Sequence, residues 1–170
     1  MRFPFFHAHF LVRSLEVKEI YLNRALRLFG FGLIGVFVPI YLFQLGYSFL
    51  DIFTYLAILY ATILIFSPVT ALIEALFGIK KSMALGTLVL LGYFGLLFTI
   101  TEFNWPLALI AIVHGFEQVV YWVPMNSNFS KASGLKERGR QLGMMNFAGT
   151  AASTVAPLIG ALIIPWAGFN

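Results

Sequence analysis

Residues 83–100 read M-A-L-G-T-L-V-L-L-G-Y-F-G-L-L-F-T-I, eighteen positions without one charged side chain. At about 1.5 Å of rise per residue, such a run makes a helix of roughly 27 Å, close to the ~30 Å thickness of a bilayer's hydrocarbon. The rest of the chain has the same character. Of its 170 residues 60% are hydrophobic and 11% charged, against roughly 45–50% and about 25% in soluble domains. That composition excludes an ordinary soluble domain and predicts an all-α, polytopic membrane helix bundle of about five transmembrane helices.

Toward the N-terminus, an apolar tract from Ala25 to Phe43 gives span one at 24–44. Residues 1–23 are expected to form a retained cytoplasmic or interfacial segment, because M-R-F-P-F-F-H-A-H-F carries no signal-peptide cleavage site. The turn Gln44 to Ser48 leads into span two at 51–76, with Asp51 expected as its cap and Ser67-Pro68 as a kink. A tight basic loop, Phe77 to Ser82, precedes span three at 82–100. Span four, at 105–129, opens on Trp105-Pro106, with proline where a first helical turn tolerates it. The hydrophilic stretch Lys131 to Arg140 precedes span five at 141–165, and Gly168-Phe169-Asn170 reads as the turn into a sixth span.

Charge supports this order. All eleven basic residues fall before or at the start of span one (Arg2, Arg13, Lys18, Arg24, Arg27), in the second loop (Lys80, Lys81) or in the fourth (Lys131, Lys136, Arg138, Arg140). Cytoplasmic loops carry the excess of Lys and Arg, so the N-terminus is expected in the cytoplasm, in a cell membrane. Arg24 and Arg27 are expected to snorkel to that interface. Basic residues set between apolar tracts do not make the continuous face that binds nucleic acid. Cysteine is absent, and His7, His9 and His114 are too scattered for a zinc site, so no metal or cofactor is expected.

Two motif matches have plainer readings. Gly30-Phe31-Gly32-Leu33-Ile34-Gly35 fits G-x-G-x-x-G, but a dinucleotide fingerprint needs a preceding strand and a helix N-terminus open to water. Inside an uncharged span, small residues permitting close helix contact are the better account. Asn128-Phe129-Ser130 fits a glycosylation sequon by accident, at a cytoplasmic helix end.

Span four carries the most informative cluster. His114, Glu117, Gln118 and Tyr121 lie at i, i+3, i+4 and i+7, on one helix face. Glu117 is near the bilayer midplane, where an ionisable group faces a cavity or a partner. Desolvation and a neighbouring imidazolium pull such a carboxyl in opposite directions, as a reversible proton carrier requires. A protonated Glu117 in a structural interhelical hydrogen bond remains the alternative. Asn146, Thr150, Ser153 and Thr154 form a second polar stripe, expected to face inward from span five, whereas span three, with a single Tyr93, is expected mostly in lipid. H-G-F-E-Q is not the H-E-x-x-H of metalloproteases, and no nucleophile, base and oxyanion donors stand at recognisable spacing, so an enzyme is not expected.

Over residues 20–170 the chain resembles the N-terminal half of a major facilitator superfamily transporter. The resemblance rests on F-V-P-I-Y-L-F-Q-L-G-Y-S (Phe37 to Ser48), F-G-I-K-K (Phe77 to Lys81), K-E-R-G-R-Q-L-G (Lys136 to Gly143) and A-P-L-I-G-A (Ala156 to Ala161). Against the family's loop signature G-x-x-x-D-R/K-x-G-R/K-R/K, the chain keeps Gly78 and Lys80 with Lys81 beyond. It places Ala71, Ala75 and Leu76 at the first glycine, the acid and the first base, with Glu74 one residue before the acid's position. The family's span-four arginine falls at Ala111, and of its G-P-x-x-G-G only Pro157 and Gly160 remain.

The resemblance implies a secondary active permease, proton-linked or facilitative, moving a small-molecule solute by alternating access between helical bundles. It implies a piece of a two-half transporter that ends before span six. Its partners would be the lipid bilayer and the remaining C-terminal half, or further copies in a homo-oligomer. In that scheme Glu117 and His114 are the proton or polar centre. Gln118, Tyr121, Asn146 and Thr150 are substrate-pathway candidates on spans four and five, which line the path with span one, and Glu74, Gly78, Lys80 and Lys81 are the gating loop. A non-transporting assembly subunit or sensor, its polar stripes serving only to hold helices together, stays open beside it.

Overall fold

The computed structural model describes residues 4–167, and the side chains of 15–163. It contains α1 (Pro4–Gly35), α2 (Val38–Gln44), α3 (Phe49–Phe77), α4 (Ile79–Phe98), α5 (Ile100–Phe103), α6 (Leu107–Ala132) and α7 (Arg138–Ala167), with no strand among the described residues. Among the described residues, five stretches are long and apolar enough to cross a membrane: Leu15–Gln44, Phe49–Phe77, Ile79–Phe98, Leu107–Ala132 and Arg138–Ile163. Large apolar side chains such as Leu64, Leu76, Phe98 and Leu162 are exposed, as hydrocarbon contact requires. The expected turn at Gly168-Phe169-Asn170 lies outside the described residues, as do the side chains of His7 and His9.

Each helix boundary has a local cause. No glycine or proline separates residues 14–24 from span one, so α1 passes residue 23 without a break. It ends after Gly35, where Pro39 has no N–H to offer the carbonyl four residues back. Bonds from Phe37 N to Ile34 O (2.9 Å) and from Tyr41 N to Phe37 O (2.8 Å) carry the chain on into α2. Ser48, not Asp51, is the N-cap of α3. Asp51 N donates to Ser48 Oγ at 3.3 Å while Ser48 N and Oγ both donate to Asp51 Oδ2, at 2.9 and 2.7 Å. This is a reciprocal capping box with aspartate as its acid. The helix continues through Ser67-Pro68 to Phe77.

The expected basic loop between spans two and three is a single residue. Gly78, at φ 81°, closes α3 through its N–H to Glu74 O (2.8 Å) and accepts from Ser82 Oγ (3.0 Å) in the first turn of α4. A side chain with a Cβ rarely adopts that φ. Lys80 and Lys81 are therefore helical and exposed. At the end of α5, Asn104 takes the left-handed conformation (φ 48°, ψ 47°) that asparagine tolerates as a cap.

The helices divide into two compact units, Met1–Tyr41 with Phe129–Asn170, and Leu42–Asn128. In the first, α1 and α7 pack along each other through small residues. A Cβ added at Gly160 would meet Leu33 O at 2.5 Å, and one at Gly32 would meet Ala156 Cβ at 2.9 Å. The face of α7 that packs thus carries Met145, Gly149, Ala156 and Gly160, all buried. The polar stripe expected to face inward lies beside it, with Asn146, Thr150 and Thr154 exposed and Ser153 half-buried. Backbones this close leave no room for a threonine side chain at the contact.

In the second unit α6 packs on α3 and α4. A Cβ at Gly115 would lie 2.6 Å from Leu59 O, and one at Gly86 2.9 Å from the Tyr121 backbone nitrogen. Phe66 and Phe116 add an edge-to-face pair at 5.3 Å. Gly115→Ala and Gly160→Ala should each lower the thermal midpoint in detergent, by the equivalent of about 1–3 kcal/mol of overpacking. Gly92→Ala, where nothing lies within 4 Å of an added Cβ, should leave it unchanged or raise it. Equal behaviour of all three would refute these contacts.

Candidate functional site

The centre of the second unit is a hydrogen-bonded chain of five side chains from three helices. α6 contributes His114, Gln118 and Trp122 at i, i+4 and i+8, one above the other on one face. Trp122 Nε1 donates to Gln118 Oε1 at 2.7 Å. Gln118 Nε2 lies 3.2 Å from His114 Nε2. On its other edge, His114 Nδ1 is 2.7 Å from the hydroxyl of Tyr55 on α3, which is 3.2 Å from the hydroxyl of Tyr93 on α4. The Tyr93 ring also stacks on the imidazole, with centroids 4.2 Å apart and planes inclined by 22°.

Tyr93 has no exposed surface, and Tyr55 and His114 are buried. Most of α4 is unburied, in keeping with a span mostly in lipid, but its Tyr93 is not on that surface. One face of α4, bearing Ser82, Gly86, Tyr93 and Leu97, is buried, and it supplies half the aromatic enclosure of His114. The close approach at Gly86 and Gly115 lets the Tyr55 hydroxyl of α3 and the Tyr93 ring of α4 reach His114 on α6.

Glu117, one turn along α6 from His114, is completely buried. Tyr121 is buried too, its ring edge-to-face with Trp122 at 5.2 Å. Of the residues the sequence singled out, His114 and Gln118 are joined directly, and Glu117 and Tyr121 share their helix. Asn146 and Thr150 belong to the other unit and are exposed on α7. Glu74, Gly78, Lys80 and Lys81 gather at the junction of α3 and α4. Tyr55, Tyr93 and Trp122 were not anticipated. Trp122 had a readable signal, since it continues the i, i+4 register from His114 and Gln118, whereas the two tyrosines are fixed only by how three helices meet.

The fold and this core define a polytopic helical membrane protein with a polar centre inside a transmembrane helix. A model of the Major Facilitator Superfamily matches residues 20–170, and the chain belongs to that family of membrane transporters. Neither a curated relative nor a solved structure matches it.

Removing the Tyr55 hydroxyl deprives a buried ring nitrogen of its partner, at a cost of about 1–3 kcal/mol. Tyr55→Phe should therefore lower the unfolding midpoint in detergent by more than Tyr93→Phe, which keeps the ring stacked on His114. The reverse order would show that the 2.7 Å bond is not the stronger link.

Proposed function

We propose that this chain is part of a secondary active transporter that moves a small solute by alternating access, coupled to protons through the polar centre on α6. The observation that carries this reading is Glu117, an ionisable side chain with no exposed surface at the middle of a membrane-spanning helix. Ionisable groups at that depth are costly and are retained at ion and substrate pathways. His114 shares the centre with it. Tyr121, Asn146 and Thr150 offer polar groups for the solute, and Gln118 contributes through both ends of its amide. The α3–α4 junction with Glu74, Gly78, Lys80 and Lys81 serves as the gating element. The partners in this scheme are the bilayer, the solute, and a second helical half or a further copy of the chain. The N-terminus lies in the cytoplasm of a cell whose surface membrane holds the protein.

In liposomes bearing the intact protein, with a panel of solutes and an imposed pH gradient, Glu117→Gln is expected to abolish gradient-driven uptake while sparing exchange without a gradient. Uptake in that variant with unchanged pH dependence would sink the coupling role. Absence of all flux, with stable capture of a protein partner, would favour an assembly subunit or sensor instead.

Orientation has its own test. These 170 residues contain no cysteine, so within them each introduced thiol reports alone. In intact cells an impermeant maleimide should label Tyr47→Cys and Phe103→Cys, and reach Lys81→Cys and Lys136→Cys only after the membrane is opened.

A further inference from the structure

The donors and acceptors of the five-residue chain can be assigned one after another, starting from the member whose chemistry allows no choice. The indole Nε1 of Trp122 can only donate. It faces the Gln118 amide at 2.7 Å, so the atom it meets must be the carbonyl oxygen Oε1. The Gln118 amino group then points at His114 Nε2, 3.2 Å away. An amino group only donates, and so Nε2 must be the bare, accepting nitrogen of the ring. With Nε2 unprotonated, the ring proton sits on Nδ1 and is donated to the Tyr55 hydroxyl at 2.7 Å. Tyr55 accepts it, and its own proton is available to Tyr93 at 3.2 Å.

Reversing the amide would set its amino group against the indole N–H, two donors face to face. A proton added to Nε2 would likewise meet the Gln118 amino group. The proton position on an imidazole is set by what the other nitrogen and its neighbours demand, and here the demand originates at Trp122, two turns away along α6.

We propose that Trp122, acting through Gln118, is a positioning residue that fixes His114 as the neutral Nδ1–H tautomer, so that His114 gains a second proton only when Trp122 lets the Gln118 amide turn over. Neither Trp122 nor Gln118 gives up a proton in this scheme. Proton acceptance is thereby tied to a side-chain rearrangement on one face of α6. The titratable groups of the same unit nearest to this exchange are Tyr55 on α3, Tyr93 on α4 and, on α6 itself, Glu117 and Tyr121.

The inference deepens the proton-linked reading by dividing its labour. Glu117 is the group that exchanges the coupled proton, and His114 is a ring whose state reports where Trp122 is. It stands on the hydrogen-bond geometry alone, so its test needs no transported solute.

The test is solid-state NMR of the intact protein in lipid bilayers, with histidine labelled in 15N and 13C. The His114 signals are identified by their loss in His114→Gln. Wild-type protein at neutral pH should show the His114 proton on Nδ1 and a bare Nε2. Trp122→Phe removes the donor that orients Gln118 and should yield a mixture containing Nε2–H. Gln118→Glu, a carboxylate able to accept from both Trp122 and His114, should move the proton to Nε2 outright. A wild-type His114 protonated on Nε2 overturns the proposal even if no variant folds. So does a Trp122→Phe protein whose His114 remains wholly Nδ1–H. If the wild-type tautomer and its response to Trp122→Phe are as stated while Glu117→Gln retains pH-dependent uptake, the coupling role of Glu117 falls and the Trp122 control of His114 stands.

Discussion

Hydrocarbon offers no water to a polar group, and this constraint shapes every part of the molecule. Backbone groups meet it by forming helices, the only way for a single open segment to satisfy itself inside a bilayer. Hydroxyl side chains meet it locally. Thr54, Thr62, Ser67, Thr70, Ser82 and Thr87 each donate to the carbonyl four residues back, at 2.6–3.1 Å. His114 has no such local remedy, because an imidazole presents two nitrogens on opposite edges. It draws partners from its own helix and from α3, and the tyrosine that stacks on it comes from α4. The second unit is organised around that requirement.

Satisfying it depends on how closely the helices approach. Van der Waals contact, not the hydrophobic effect, brings helices together where the solvent is itself apolar. Gly86 and Gly115 let α6 come close to α4 and α3, and Gly32 and Gly160 do the same for α1 and α7. The six-residue run that mimics a nucleotide-binding fingerprint is explained by this at one position. Gly32 is at the contact, while an atom added at Gly30 would meet nothing within 4 Å. Arg138 ties α7 to the end of α6, donating to Ser130 O at 2.9 Å and to Ser133 Oγ at 3.0 Å. Tyr21 donates to Gln141 O at 2.9 Å, joining α1 to the same corner. The exposed Arg140–Glu137 pair at 3.0 Å adds little by comparison.

Much of this was legible from the chain alone. Five spans follow from tract length and the placement of charge, because both are set by the bilayer and not by tertiary detail. Helix ends were less so. Charged residues mark apparent helix ends in the sequence, whereas Lys80, Lys81, Lys131 and Arg138 are all helical, since a charge at a membrane-water boundary need not interrupt backbone hydrogen bonding. The face of α6 bearing His114, Glu117, Gln118 and Tyr121 was readable from its period. Tyr55 and Tyr93 were not, because an isolated tyrosine in an apolar run carries no mark of which way it turns. On α7, Asn146, Thr150 and Thr154 are exposed beside the buried row of Met145, Gly149, Ala156 and Gly160, and periodicity alone does not say which row is the helix contact.

The joint at Gly78 has a mechanical consequence. Sliding α3 past α4 by one helical turn would take about 5.4 Å of slack, and a single residue spans at most about 3.6 Å when fully extended. The two helices can change their angle through torsion at Gly78 but cannot shift in register. They behave as one lever with a pivot at its end, so axial displacement of α6 against this pair has to be taken up in the longer stretch Thr99–Pro106, which carries α5.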